Sequence, residues 1–150
     1  MADPGVVEVL IKGLAAGVAG TAAMTASEKI EQSITGREDS MVTAEVGAMV
    51  AKPPIETGAQ AQKLGQVVHW MHGVTWGAVR GLLALTPLNA FTASALHYAS
   101  LWTSDALLYR VLKIEPLPHQ WEKQALVIDL FHKLVLSAVT SLVFLALLEV

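Results

Sequence analysis

Two pairs of side chains stand about one helical turn apart in this sequence, His69-x-x-His72 and Asp129-x-x-His132, and each can present two ligands from one helix face. The second has the shape of the Glu-x-x-His pairs that hold dinuclear metal in helical bundles. Glu28 and Asp105 supply the carboxylates that would complete such a set. Neutral imidazole with carboxylate suits Zn, Fe or Mn. Glu28, His69, His72, Asp105, Asp129 and His132 are therefore a candidate transition-metal site, and a haem held by His from two helices is a variant of that reading. The same groups fit a proton relay, because imidazole titrates near pH ~6.5. They also fit a purely structural set of ion pairs and hydrogen bonds that fixes helix register.

Such residues meet only if the elements carrying them bring them together. The chain has 150 residues, 53% hydrophobic and 15% charged, with a mean hydropathy of +0.50, where a soluble domain carries about 25% charge. Its apolar residues fall in four blocks, about 6–27, 64–85, 88–109 and 125–148. Each approaches the roughly 20 residues that a hydrocarbon core of ~30 Å demands. The blocks are rich in Ala and Leu and lack period-two alternation, which argues for helices over strands. Pro53-Pro54, Pro87, Pro116 and Pro118 fall between them, where helices stop. The expected fold is all-α, an integral membrane four-helix bundle running up-down-up-down in a single domain. A soluble bundle with buried helices is the alternative, to which Arg80, Asp129 and Lys133 lend weight.

In that topology both termini share one side with the short turn Thr86-Pro87-Leu88, and the other side receives the segment 28–63 and the link between the third and fourth blocks. Lys29, Arg37, Lys52, Lys63, Arg110, Lys113 and Lys123 lie on the loop side. The positive-inside rule then makes the loops cytoplasmic and both termini external, as for a bacterial inner-membrane protein. Within 28–63 the first helix projects to about Ser33, with Thr35-Gly36 as its end. Met41, Val42, Val46, Met49 and Val50 mark a short amphipathic helix that lies in the membrane interface or packs on the bundle. The acidic N-terminus lacks the basic region of a cleavable signal, so the first block is expected to stay in the mature chain.

The alternation also sets the depth of the ionisable groups. Glu28 and Glu31 end the first helix, His69 and His72 open the second, Asp105 lies near the end of the third, and Asp129, His132 and Lys133 open the fourth. All these ends meet at the cytoplasmic side. Small-residue spacings predict which helices approach closely: Gly13, Gly17 and Gly20 on the first, and Gly73, Gly77 and Gly81 on the second. His97 sits near mid-depth, Arg80 toward the outer end of its block, and Trp70, Trp76, Trp102 and Trp121 mostly near block ends, as in aromatic belts.

Other function classes lose support. A net charge of −3 without basic clusters gives no footprint for nucleic acid. With no cysteine there is no thiolate nucleophile or metal thiolate. No P-loop, GxGxxG, GxSxG or HExxH motif is present, so an enzyme reading has little to stand on.

The stretches 19–39 (AGTAAMTASEKIEQSITGRED), 69–83 (HWMHGVTWGAVRGLL) and 125–139 (ALVIDLFHKLVLSAV) resemble a family of small multi-pass membrane proteins common in actinobacteria and, more distantly, the YagU-type inner-membrane proteins. The resemblance implies a polytopic membrane protein with no assigned chemistry. Two functions remain open: a membrane protein whose cytoplasmic-end cluster binds metal or handles protons, and a non-catalytic structural or accessory subunit. The second would pack glycine-lined faces on a partner subunit or on its own copies, with the bilayer as solvent in either case.

Overall fold

The computed structural model describes residues 5–52 and 57–149 and is all-α. Its helices are α1 (Val6–Thr35), α2 (Val42–Ala51), α3 (Gly58–Leu83), α4 (Ala90–Val111) and α5 (Lys123–Leu148), with a 3-10 turn at Pro118–Gln120 before α5. Their ends follow local chemistry. Gly36 adopts φ 71, the left-handed conformation that closes a helix, and returns its N–H to Gln32 O at 2.8 Å, so α1 stops at the Thr35-Gly36 step. Thr57 and Gln60 form a reciprocal capping box that starts α3 six residues ahead of the expected Leu64. Asn89 accepts from Thr92 N–H at 2.9 Å and starts α4 just after Pro87. Pro53-Pro54 lies outside the described residues.

The long helices alternate in direction. Val9 of α1 meets Gly81 of α3, and Thr25 meets His69, so α1 and α3 are antiparallel. Gly20 meets Thr140 and Ser27 meets His132, which sets α5 antiparallel to α1. Contacts His72–Asp105 and Trp102–Asp129 do the same for α3 with α4 and α4 with α5. α1 packs most extensively on α3 and α5, while α4 leans on α5 and more lightly on α3.

Glycine explains the closest of these interfaces. A Cβ on Gly17 would lie 2.8 Å from Gly73 O and 2.9 Å from Gly77 Cα, and one on Gly13 would run into Gly77 O. Gly81 abuts the Val9 carbonyl, Gly73 abuts Thr21, and Gly20 faces Thr140 and Leu136. Gly13, Gly17, Gly20, Gly73, Gly77 and Gly81 thus pack within the chain, where they let backbones touch and gain dispersion contacts.

α2 packs on α3 through its small residues: Ala44 and Gly47 are buried, and Leu64 and Val68 crowd Gly47. Of the apolar face, Met41, Met49 and Val50 remain exposed while Val42 and Val46 are half-buried. Bulk decides this, because only small residues permit a ten-residue helix to approach α3 closely.

Two helices, α1 and α5, are long and apolar enough to cross a membrane; α3 and α4 do not reach that measure. The polar residues of these helices include Gln60, Gln62, Gln66, His69 and His72 in α3 and the Ser, Thr, His97 and Asp105 of α4.

Candidate functional site

The side chains buried by this packing are largely polar. Among the described residues Thr21, Arg80, His97, Asp105, His132, Lys133, Ser137, Thr140 and Ser141 are buried, against eight buried apolar residues of which four are alanine. Meanwhile Val7, Ile11, Met71, Phe91, Val111 and Leu142 lie on the outside, Phe91 with 83% of its surface exposed. A water-soluble domain sorts these classes the other way.

Along α5 the residues Asp129, Lys133, Ser137 and Ser141 recur every four positions, and the last three are buried. This stripe organises the interior. Lys133 Nζ bonds Asp129 Oδ1 at 2.8 Å and Oδ2 at 3.1 Å on its own helix, and lies 3.3 Å from Asp105 Oδ2 of α4. It also stands 5.1 Å from the Tyr109 ring centroid, a cation–π position. Trp102 Nε1–H donates to Asp129 Oδ2 at 2.9 Å, and His72 Nε2 meets Asp105 Oδ1 at 2.8 Å. His72, Asp105, Lys133, Asp129 and Trp102 therefore form one connected network on three helices.

Deeper in, His97 Nε2–H donates to Trp76 O at 3.0 Å, since a carbonyl can only accept. In the neutral ring, Nδ1 then accepts from Ser137 O–H at 2.7 Å. Arg80, almost fully buried, donates from Nε to Ser141 Oγ at 3.1 Å and lies over the Phe144 ring at 4.9 Å. From Asp129 to Ser141 the polar column covers roughly 18 Å of helix at ~1.5 Å per residue.

A second group lies where α1 meets α5. Ser27 donates to Met24 O at 2.8 Å and contacts His132 Nδ1 at 2.7 Å, while His132 Nε2 is 3.7 Å from Glu31 Oε2. Arg37 clamps Glu31 Oε2 from Nη2 at 2.6 Å and Nε at 3.0 Å. Those bonds hold the Glu31 carboxyl below the usual carboxylate range. Glu28 makes no such bond, and burial pushes its carboxyl up to about 7, outweighing the attraction of Arg37 and Lys29. His69 belongs to neither group: its Nε2 contacts Thr25 Oγ1 at 3.0 Å.

The six candidate ligands thus reach one end of the molecule without converging on a point. No group of three or more His, Asp or Glu placed to hold a metal ion occurs among the described residues. The reason is Lys133, whose ammonium stands between Asp105 and Asp129 where a cation bridging them would go. Reading Asp129 with His132, three residues on, passes over Lys133 at the fourth position, the partner that α-helical geometry brings beside Asp129. The four-residue recurrence down α5 is the signal that identifies it.

The end of the bundle also contains a cavity of about 410 Å³, bounded by Glu28, Arg37, Tyr109, Trp121, Asp129 and His132 among others. No family model matches the chain, and no curated protein or solved structure matches it either.

Proposed function

We propose that the protein is a polytopic inner-membrane protein with four spans, both termini external, whose interior polar column handles protons. The observation that carries the membrane half is the inverted distribution of side chains: charged and hydroxylic residues inside, large apolar residues outside. Lipid is the solvent that rewards this arrangement, and ionisable residues held inside a membrane bundle are paired, hydrated or functional. The proton half rests on the linked groups His72, Asp105, Lys133 and Asp129, each within 3.3 Å of the next, all able to exchange protons. Metal binding gains no support from this geometry, because an ammonium already neutralises the two carboxylates. Membership of the small actinobacterial membrane family, and assembly with copies or a partner subunit, are part of the same proposal.

The chain lacks cysteine, so single cysteines report topology cleanly. Cysteines at Gly5 and Glu149 should react with an impermeant maleimide in intact cells, and those at Ser40 and Lys113 only after permeabilisation. Opposite labelling of Gly5 and Glu149 would end the four-span reading. In liposomes carrying an internal pH dye, the parent protein should relax an imposed pH gradient and His72→Gln should slow it at least tenfold.

A structural role is the second reading, favoured by one observation: Lys133 compensates Asp105 and Asp129 so closely that the network can serve as a register lock for α4 and α5. Equal gradient decay in protein-loaded and empty liposomes would select it.

A further inference from the structure

We propose that the cavity at the end of the bundle is a binding site for a primary or secondary ammonium group attached to an apolar body. Its rim supplies acceptors with few free donors. Glu28, Glu115 and Glu122 line it together with Asp129, whose oxygens already accept from Lys133 and Trp102. Its one guanidinium, Arg37, is committed to Glu31 by two bonds and to Glu38 O by a third at 3.3 Å. The indole N–H of Trp121 is taken by Pro116 O at 2.8 Å, which leaves its ring in the cavity wall as an apolar surface.

His132 adds an independent observation. It is 2% exposed and lines the cavity, and its Nε2, 3.7 Å from the Glu31 carboxylate, has no partner within hydrogen-bond distance. Ser27 spends its hydroxyl proton on Met24 O, so its oxygen accepts from His132 Nδ1–H. In the neutral ring this leaves Nε2 as a buried lone pair beside the Glu31 carboxylate, two acceptors between which an incoming ammonium N–H would supply the missing donor.

A compact metal cation does not fit, since no three of these groups are placed as its ligands. A diffuse organic cation does: carboxylates around the wall attract its charge, while Tyr109, Trp121, Met24 and Ile128 receive an apolar portion. The inference does not depend on proton handling, which involves the column between α3, α4 and α5. Loss of either property with retention of the other separates the two.

The ammonium can come from a free amine or from an aminophospholipid headgroup. The test is calorimetric titration of phenethylamine into the full chain in phosphatidylcholine nanodiscs, with empty discs subtracted and phenylacetate as the anionic control. Saturable binding of the amine without binding of the acid is expected, weakened at least fivefold by Glu28→Gln and by Trp121→Leu. Binding should also weaken between pH 8 and pH 5, where Glu28 takes up a proton around 7 while the amine stays charged. Repeating the titration in phosphatidylethanolamine discs identifies the source: at least fivefold weaker binding assigns the headgroup as occupant, and unchanged binding assigns a free amine. Equal binding of amine and acid, or affinities within twofold of the parent in both variants, would overturn the proposal.

Discussion

Lys133 Nζ lies 3.3 Å from Asp105 Oδ2 across the α4–α5 interface, with both side chains about 95% shielded from the exterior. Neither charge is tolerable there alone. Each makes the other's burial possible, and the helical turn that also brings Asp129 beneath Lys133 completes the neutralisation.

Removing the cation should expose that dependence. Lys133→Met leaves Asp105 buried without its counter-charge and should cost about 3–5 kcal/mol, read as reduced resistance to denaturant in detergent. Adding Asp105→Asn should recover a substantial part, because the second change removes the orphaned charge. A double variant as unstable as the single one would show that the pair is not coupled.

The α1–α3 contact gives a steric prediction. Gly17→Ala places a methyl against Gly73 O and Gly77 Cα, backbone atoms that cannot rotate away. A loss of roughly 1–3 kcal/mol is expected. Gly58→Ala is the control: nothing lies within 4 Å of its Cβ position, and its thermal stability should match the parent.

Glu28 sets a pH dependence with a definite sign. Its carboxyl ionises near the ordinary 4.5 when unfolded but about 7 when folded. Between those values the folded state holds the extra proton, so this group's contribution to stability falls as pH rises through the interval. Glu28→Gln should flatten that fall and raise the melting temperature at pH 8 while leaving it nearly unchanged at pH 4. Melting curves across this range check it.

The tautomer of His97 is also testable. Donation from Nε2 to Trp76 O and acceptance at Nδ1 from Ser137 require the Nε2–H form. Nitrogen chemical shifts of labelled imidazole should report that form. His97→Phe, which strands both the carbonyl and the hydroxyl, should cost about 1–3 kcal/mol.

How much of this was legible beforehand differs by element. Apolar block length and proline placement are local properties, and they located all four long helices with end errors of a few residues, the largest at α3, where a capping box extends the helix through polar residues. The gathering of Glu28, His69, His72, Asp105, Asp129 and His132 at one end follows from the alternating direction of the long helices. On α2 the apolar pattern marks Met41, Val42, Val46, Met49 and Val50, but the pattern does not show that Ala44 and Gly47 make the closest approach to α3, because hydropathy ranks Met and Val above the small residues that close packing favours.

The amino-acid order thus determined helix content, helix direction and the shared depth of the ionisable groups, all consequences of periodicity and chain connectivity. Only the tertiary structure decided which groups touch. Contact depends on helix rotation and on distances of a few tenths of an ångström. Those place Lys133 between Asp105 and Asp129, hand Glu31 to Arg37, and leave Glu28 and His132 facing a cavity with no donor of their own.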